Sequence, residues 1–292
     1  MNGLTFGVNV STSATPGADP VHFAQLAESM GFDFVSASDH PCGLSPSYET
    51  WTMLTWIAAA TTRIKVATRV LGVPYRSPAM VAKMAETLDR FSEGRLILGL
   101  GGGYSDDEFR AFGLSEPSRK DKIDGLGEAV QVIRGLWSQP SFTFSGRLHR
   151  TDRADLEPKP DHGIPIWLGT FGDRALAVTG RYADGWIPSL GYAPANQLSG
   201  MRDKVLLAAQ AAGRSPTDVE CALNLQIHVS RNSEVSTDVI SGPAGYLVER
   251  LSQFVEIGFT SFNLMPQGEF PSTQMEQIAT EVIPRLRASP DR

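Results

Sequence analysis

Cysteine is scarce in this chain, with only Cys42 and Cys221 among 292 residues. Two thiols are too few for a disulfide framework, so a reducing compartment is expected, the cytoplasm by default. No apolar run approaches the roughly 18 residues that a membrane span requires, so no membrane association is expected. The opening MNGLTFGVNV has neither a basic segment nor a long apolar core and is not expected to be a secretory signal. Positive charge is also short. Lys and Arg number 26 against 32 Asp and Glu, a formal net charge of −6, whereas a nucleic-acid partner calls for a basic face. The 5 histidines show no H-E-x-x-H or H-x-x-x-H spacing, so no metal site is expected. No G-x-S-x-G elbow offers a serine nucleophile. What is present, 41% hydrophobic and 20% charged residues, is the ordinary profile of a soluble globular protein.

Short apolar runs alternate with longer stretches of helical spacing. Segments 4–10, 34–38, 64–71, 95–100, 165–168, 184–187, 219–229 and 260–265 read as strands. Helices are expected from Pro20 to Gly31, over 49–61, from Ser77-Pro78 to Gly94, and over 120–137, 173–182, 195–212, 243–257 and 272–288. Asp19-Pro20 and Ser77-Pro78 are start signals; Gly31, Gly94, Gly213 and Gly258 are stops. Ser105 and Glu108 fit an S-x-x-E capping box. Eight strands alternating with eight helices specify a parallel sheet. In a length near the roughly 250 residues typical of the fold, that means a closed α/β barrel of the (β/α)8 (TIM) type. A doubly wound sheet is the alternative, but Tyr104 stands where the last glycine of a dinucleotide fingerprint belongs. Residues 1–292 read as one domain. Segment 140–163, with a hairpin over 142–149 turning at Ser145-Gly146, is the one candidate insertion or lid.

Function in such a barrel sits at the C-terminal ends of the strands. There the chain places Asn9, Asp39-His40, Thr68 to Val73, Gly101-Gly102-Gly103-Tyr104, Gly169-Thr170-Phe171-Gly172 and Trp186-Ile187. This set is polar, aromatic and glycine-rich, which suits a flat heterocycle better than a metal. His40 is the candidate acid–base group, because imidazole moves protons near neutral pH. Asp39 could orient it or bond a ligand N–H; equally, Asp39 could cap a turn and leave His40 in solvent. Alternation puts Thr68 on the face of Val66 and Val70. Its hydroxyl would then sit near the top of the barrel core, or else bond the backbone. Gly72 suggests a bulge that presses backbone against a planar ligand. Of the two glycine loops, the one before Asp106-Asp107-Glu108 would repel an anion. Gly169–Gly172, with the Thr170 hydroxyl, is the expected phosphate site. Asn9 and Tyr104 are expected to face substrate. Arg147, His149, Arg150 and Arg153 form a basic cluster, either a solvated loop or a contact for a charged substrate or cofactor tail.

Four blocks carry a family resemblance: Gly31-Phe32-Asp33…Ser38-Asp39-His40; Tyr75-Arg76-Ser77-Pro78-Ala79…Lys83…Leu88-Asp89; Glu93-Gly94-Arg95…Gly99-Leu100-Gly101-Gly102-Gly103-Tyr104…Glu108-Phe109; and Pro165-Ile166-Trp167-Leu168-Gly169…Ala183-Asp184-Gly185-Trp186. The chain resembles the luciferase-like flavin-dependent oxidoreductases, in particular the deazaflavin branch that uses coenzyme F420. The resemblance implies a luciferase-like (β/α)8 barrel with the ring at its mouth and hydride transfer to or from a small organic substrate. It implies cofactor contacts from Asp39 and His40, and a non-prolyl cis peptide mapped onto Gly72-Val73. The glycine loop after strand four then lies near the ribityl chain and Gly169–Gly172 near the phosphate. A deazaflavin lacks the ring nitrogen of flavin oxygen chemistry, so reaction with oxygen is not expected. The alternatives are an FMN-dependent monooxygenase of the same fold, served by a separate reductase, and a non-catalytic flavin-binding barrel. The resemblance also suggests a homodimer. Sugar-phosphate dehydrogenases of this branch carry Trp and Glu where this chain has Leu44 and Tyr104, so that activity is not assigned.

Overall fold

Short apolar strands bury both faces only if helices cover one side and the sheet closes on the other. The computed structural model describes residues 3–233 and 238–288. Eight parallel strands close on themselves: β1 (Thr5–Asn9), β2 (Phe34–Ala37), β3 (Lys65–Thr68), β4 (Leu96–Gly101), β5 (Ile166–Leu168), β6 (Gly185–Trp186), β7 (Glu220–Val229) and β8 (Ser261–Pro266). Each pairs with the next, and β8 returns to β1 through Thr5 opposite Ser261. The expected eight strands and their intervening helices are thus present. Among the described residues, no helix is long and apolar enough to cross a membrane.

Two glycines decide how the lower barrel fills. A Cβ on Gly7 would stand 2.1 Å from the Phe34 ring, and one on Gly185 would stand 2.3 Å from Trp167. In the space these glycines leave, Phe34 and Trp167 meet edge to face at 5.7 Å and join Ala67, Ile97, Ile187 and Ala222 in the inner core. Above them runs a polar layer that the sequence did not signal. Ser36 donates to Asn263 at 2.7 Å, Asn263 to Asn224 at 2.7 Å, and Asn224 to Ser189 at 2.7 Å. Buried amides are tolerated here because their partners are complete.

Three expectations need correction. Strand three does not run unbroken to Leu71. It stops at Thr68, the Arg69–Val70 peptide is cis, and a short strand Leu71–Gly72 resumes against Leu100 and Gly101. The last helix is broken by a π turn at Ile278–Val282 just before Pro284, because proline cannot donate to the preceding turn and its ring crowds the carbonyl there. The capping box at Ser105 is not formed: that side chain makes no cap bond, and neither does Ser77.

Between β5 and the helix before it, Phe142–Ser145 and Arg150–Ala154 form an antiparallel hairpin. Glu128 of the helix Arg119–Ser138 accepts from the backbone N–H groups of Arg147, Leu148 and His149. Arg147 also pairs with Asp121 and Asp124. The basic cluster is therefore partly tied to its own helix rather than extended toward a ligand.

A similar clamp precedes β3. Glu28 Oε1 accepts from the N–H groups of Thr62 (2.9 Å), Arg63 (2.6 Å) and Ile64 (2.9 Å). Burial pushes this carboxyl up, yet the three donors hold it below its ordinary value. A carboxyl depressed by folding stabilises fully above its unfolded pKa, and the effect is lost as pH falls through the folded value. Glu28→Ala is expected to cost about 2 kcal/mol at pH 7, roughly 4–8 °C in Tm. The gap from wild type should narrow below about pH 4; thermal melts at pH 7 and pH 3 check this, and a pH-independent gap contradicts it.

Candidate active site

The C-terminal strand ends gather His40 after β2, Arg69 and Val70 after β3, the glycine loop after β4, Gly169–Gly172 after β5 and Tyr192 after β6. Val70 forms the wall of this mouth. Would-be Cβ atoms on Gly99, Gly101 and Gly169 would lie 3.3, 2.6 and 3.2 Å from its methyls. Its side chain thus lies in space that larger residues on β4 and β5 would close. It faces inward while Thr68 faces the outer core beside Val66, so the expected shared face is corrected: the cis Arg69–Val70 peptide interrupts the alternation. The Thr68 hydroxyl donates to the Gly99 carbonyl (2.7 Å) and accepts its N–H (2.9 Å), so its one proton is already committed to the backbone.

The mapping of the cis bond onto Gly72-Val73 is likewise corrected. Gly72 backs onto the Tyr75 ring, 2.5 Å from a would-be Cβ, and Val73 is buried in the outer core. Asp39 does not orient His40. It accepts from the Gly72 N–H at 2.9 Å and from both terminal nitrogens of Arg76 at 2.8 and 3.1 Å, with its side chain 1% exposed. Arg76 also reaches Glu49, whose carboxylate caps the helix Thr50–Ala60. Asp39 therefore braces the loops that carry His40 and Val70.

His40 instead meets Glu108. Its Nδ1 lies 3.0 Å from Glu108 Oε1, and Glu108 Oε2 accepts from the Tyr75 hydroxyl. A carboxylate only accepts, so Nδ1 carries a proton, and in the neutral imidazole Nε2 keeps the lone pair. Burial and the bond to Glu108 push the Tyr75 phenol far above its ordinary range, so it remains a donor. Sequence reasoning placed Glu108 in a capping box and passed over Tyr75. The spacing S-x-x-E suits a cap, but the carboxylate is drawn to the imidazole instead.

The rim is aromatic. His40 lies edge-on to Tyr104 (5.7 Å), Tyr104 against Tyr192 (6.2 Å), and Tyr192 against Phe171 (5.8 Å). Tyr104 and Tyr192 are exposed. A hydrogen bond with Tyr104, together with burial, holds the Tyr192 phenol above its usual pKa. Asn9 accepts from Arg69 Nε at 3.1 Å. Among the described residues no carboxylate lies within ion-pair range of that guanidinium, and burial pushes it down to about 10, so it stays a cation at neutral pH. Arg69 lies inside the expected stretch Thr68 to Val73 but had no role assigned, and Tyr192 was not anticipated. The one signal was a charged residue inside an apolar strand run.

The two glycine loops adjoin, with the Gly169 N–H donating to the Leu100 carbonyl at 3.1 Å. Gly102 packs on Lys122 and Gly103 (φ +88°) on the Phe109 ring. Gly172 (φ +73°) precedes the helix Asp173–Tyr182, has open space around it, and no side chain caps the helix start. Asp173 is drawn off by Lys204, and Arg174 by Asp124. The Thr170 hydroxyl is not a free donor: it bonds Thr179, which itself donates to the Ala175 carbonyl. Trp186 is fully buried, packs on Phe259 and donates to the Thr170 carbonyl, so it holds the loop from behind rather than facing the mouth. Ile187 is buried in the inner core.

The chain belongs to the luciferase-like monooxygenase family, whose model matches residues 4–262. It is 31% identical to an F420-dependent glucose-6-phosphate dehydrogenase of Nakamurella multipartita, over 79% of this chain and 69% of that one. In structure it is similar to an F420-dependent secondary alcohol dehydrogenase solved with an F420–acetone adduct (TM-score 0.89, 22% identity, covering 98% of this chain and 100% of that one). It is also similar to the coenzyme F420-dependent tetrahydromethanopterin reductase of Methanopyrus kandleri (TM-score 0.85, 19% identity, 98% and 100% covered).

If Asp39 is a brace, its loss should register in stability. Asp39→Ala is expected to cost about 3 kcal/mol, since it breaks a buried ion pair and orphans the Gly72 N–H. Urea unfolding measures this. A loss under about 0.5 kcal/mol, the range of a surface change, contradicts the assignment.

Proposed function

We propose that this protein is an F420-dependent oxidoreductase that passes hydride between the deazaflavin and a small organic substrate at the barrel mouth. The observation that carries the reading is Val70, seated against Gly99, Gly101 and Gly169 at the same strand ends as the His40–Glu108 pair. This is a flat apolar wall with a proton-transfer group at its edge. The residues fit the cofactor. The glycines seat Val70 as an apolar surface on which a planar ring could lie, and the uncapped helix start at Gly172 offers backbone donors to a phosphate. The F420-dependent relatives support the same choice. When bound, the deazaflavin supplies a ring carbon that takes or gives hydride.

The chain's own residues do the rest. Glu108 fixes the His40 tautomer, so Nε2 takes the hydroxyl proton as substrate is oxidised, or returns it in reduction. Tyr75 holds Glu108 in place. Tyr104, Phe171 and Tyr192 close the sides of the mouth and limit water. Glucose 6-phosphate is not the proposed substrate, because Leu44 and Tyr104 replace the Trp and Glu of that activity. The reading also takes the chain as a single cytoplasmic domain over 1–292, with 140–163 as an insertion. It includes a homodimer, for which exposed Trp56, Met80 and Phe91 supply apolar surface.

Titrating the purified chain with F420 and with FMN tests the cofactor. F420 is expected to bind, and FMN binding without F420 binding overturns the reading in favour of a monooxygenase. His40→Ala is expected to lower kcat by 10²–10⁴-fold while changing the F420 Kd by less than about threefold. An unchanged kcat removes His40 from the mechanism. Light scattering reads the subunit count, and a monomer at micromolar concentration rejects the dimer.

A further inference from the structure

We propose that Arg69 is the anion receptor of the mouth, and that the substrate is a small organic acid whose carboxylate docks on its two terminal nitrogens. The proposal rests on the hydride-transfer reading above and adds the substrate class.

Three features carry it. First, Arg69 is half-buried and has no counter-charge among the described residues. Among the described residues its guanidinium makes one hydrogen bond, from Nε to Asn9 Oδ1 at 3.1 Å, and no carboxylate pairs with it. Arg76, nearby in the chain, has both Asp39 and Glu49. A half-buried cation without a carboxylate partner is held at a cost that an incoming anion would relieve. Second, Asn9 occupies Nε and fixes the plane of the guanidinium. The edge left over is the paired terminal nitrogens, whose spacing matches the two oxygens of a carboxylate. Third, the side chain belongs to the mouth. It precedes Val70 in the chain, and Tyr192 of the aromatic rim lies close enough to act on its charge.

A hydroxy acid seated there would give hydride from its carbinol carbon to the cofactor and the hydroxyl proton to His40 Nε2, leaving the oxo acid. The reverse reaction reduces the oxo acid. The carboxylate takes no part in the bond changes and serves only to position the carbinol carbon.

Calorimetric titration of the purified chain with benzoate, and with benzamide as its neutral counterpart, tests the receptor without a known substrate. Benzoate is expected to bind wild type, at least tenfold more weakly to Arg69→Gln, and with intermediate affinity to Arg69→Lys. Benzamide should not distinguish the three. F420 affinity, read by its fluorescence, should stay within threefold in Arg69→Gln. Benzoate that ignores wild type, or binds Arg69→Gln equally well, overturns the proposal. So does a tenfold loss of F420 affinity in Arg69→Gln, which would assign the cation to the cofactor. If wild type does not bind F420, the hydride-transfer reading falls, while the benzoate comparison still decides the role of Arg69.

Discussion

The architecture of the mouth depends on one packing constraint: Val70 must sit against strands β4 and β5. Three glycines grant that space. A Cβ on Gly99 would also stand 1.9 Å from the Thr68 carbonyl, a contact with backbone that no rotamer change can relieve. The same close approach lets the Thr68 hydroxyl bond both backbone groups of Gly99. Strand register, the turn of the chain at Arg69–Val70 and the apolar wall are therefore one feature. The same exchange of glycine for neighbouring bulk recurs lower down, where Gly7 and Gly185 admit Phe34 and Trp167. The barrel is thus plugged below and open above.

Two sets of charged groups share the work of holding and acting. Asp39, Arg76 and Glu49 form a brace, with Asp39 buried and its oxygens bonded to Arg76 and the Gly72 N–H. Glu108, His40 and Tyr75 form a second set in which the imidazole retains a free nitrogen. The sets meet at the turn Val73–Tyr75, since Gly72 is held by Asp39 and packs on Tyr75. Movement of the brace would shift the wall and the proton-transfer group together. Positional precision at the site thus depends on groups that brace its loops.

Much of the fold was legible in the sequence because it is written in local rules. Apolar runs of strand length, prolines and acidic caps at helix starts, and glycines at helix ends place the barrel elements within a residue or two. What was not legible depends on contacts between distant segments. Glu108 looks like a capping residue until the loop after β2 brings His40 within 3.0 Å. Thr68 and Val70 look like partners on one face until the backbone between them breaks the alternation. Trp186 ends a strand at the right level, yet its ring turns outward to Phe259. Asn224 and Asn263 read as ordinary polar interruptions, although they span the barrel interior. Alternation and spacing report the level of a residue along the barrel; they do not report which way a side chain turns once the chain is irregular.

That irregularity is concentrated where function is expected. Arg69 has no carboxylate partner among the described residues, whereas the buried charges Asp39, Glu86 and Asp89 all have partners. A charge drawn partly out of water without a partner is held at a cost in stability. Beside it the chain exposes Tyr104 and Tyr192, side chains that would stabilise the fold more if buried. Both departures fall at the C-terminal ends of the strands, where the loops can vary without disturbing the core. The polar layer of Ser36, Asn263, Asn224 and Ser189, complete in its hydrogen bonds, ties β2, β8 and β7 to the loop after β6 that carries Tyr192. A well-satisfied interior beneath a poorly satisfied mouth is the arrangement in which a ligand supplies the missing interactions.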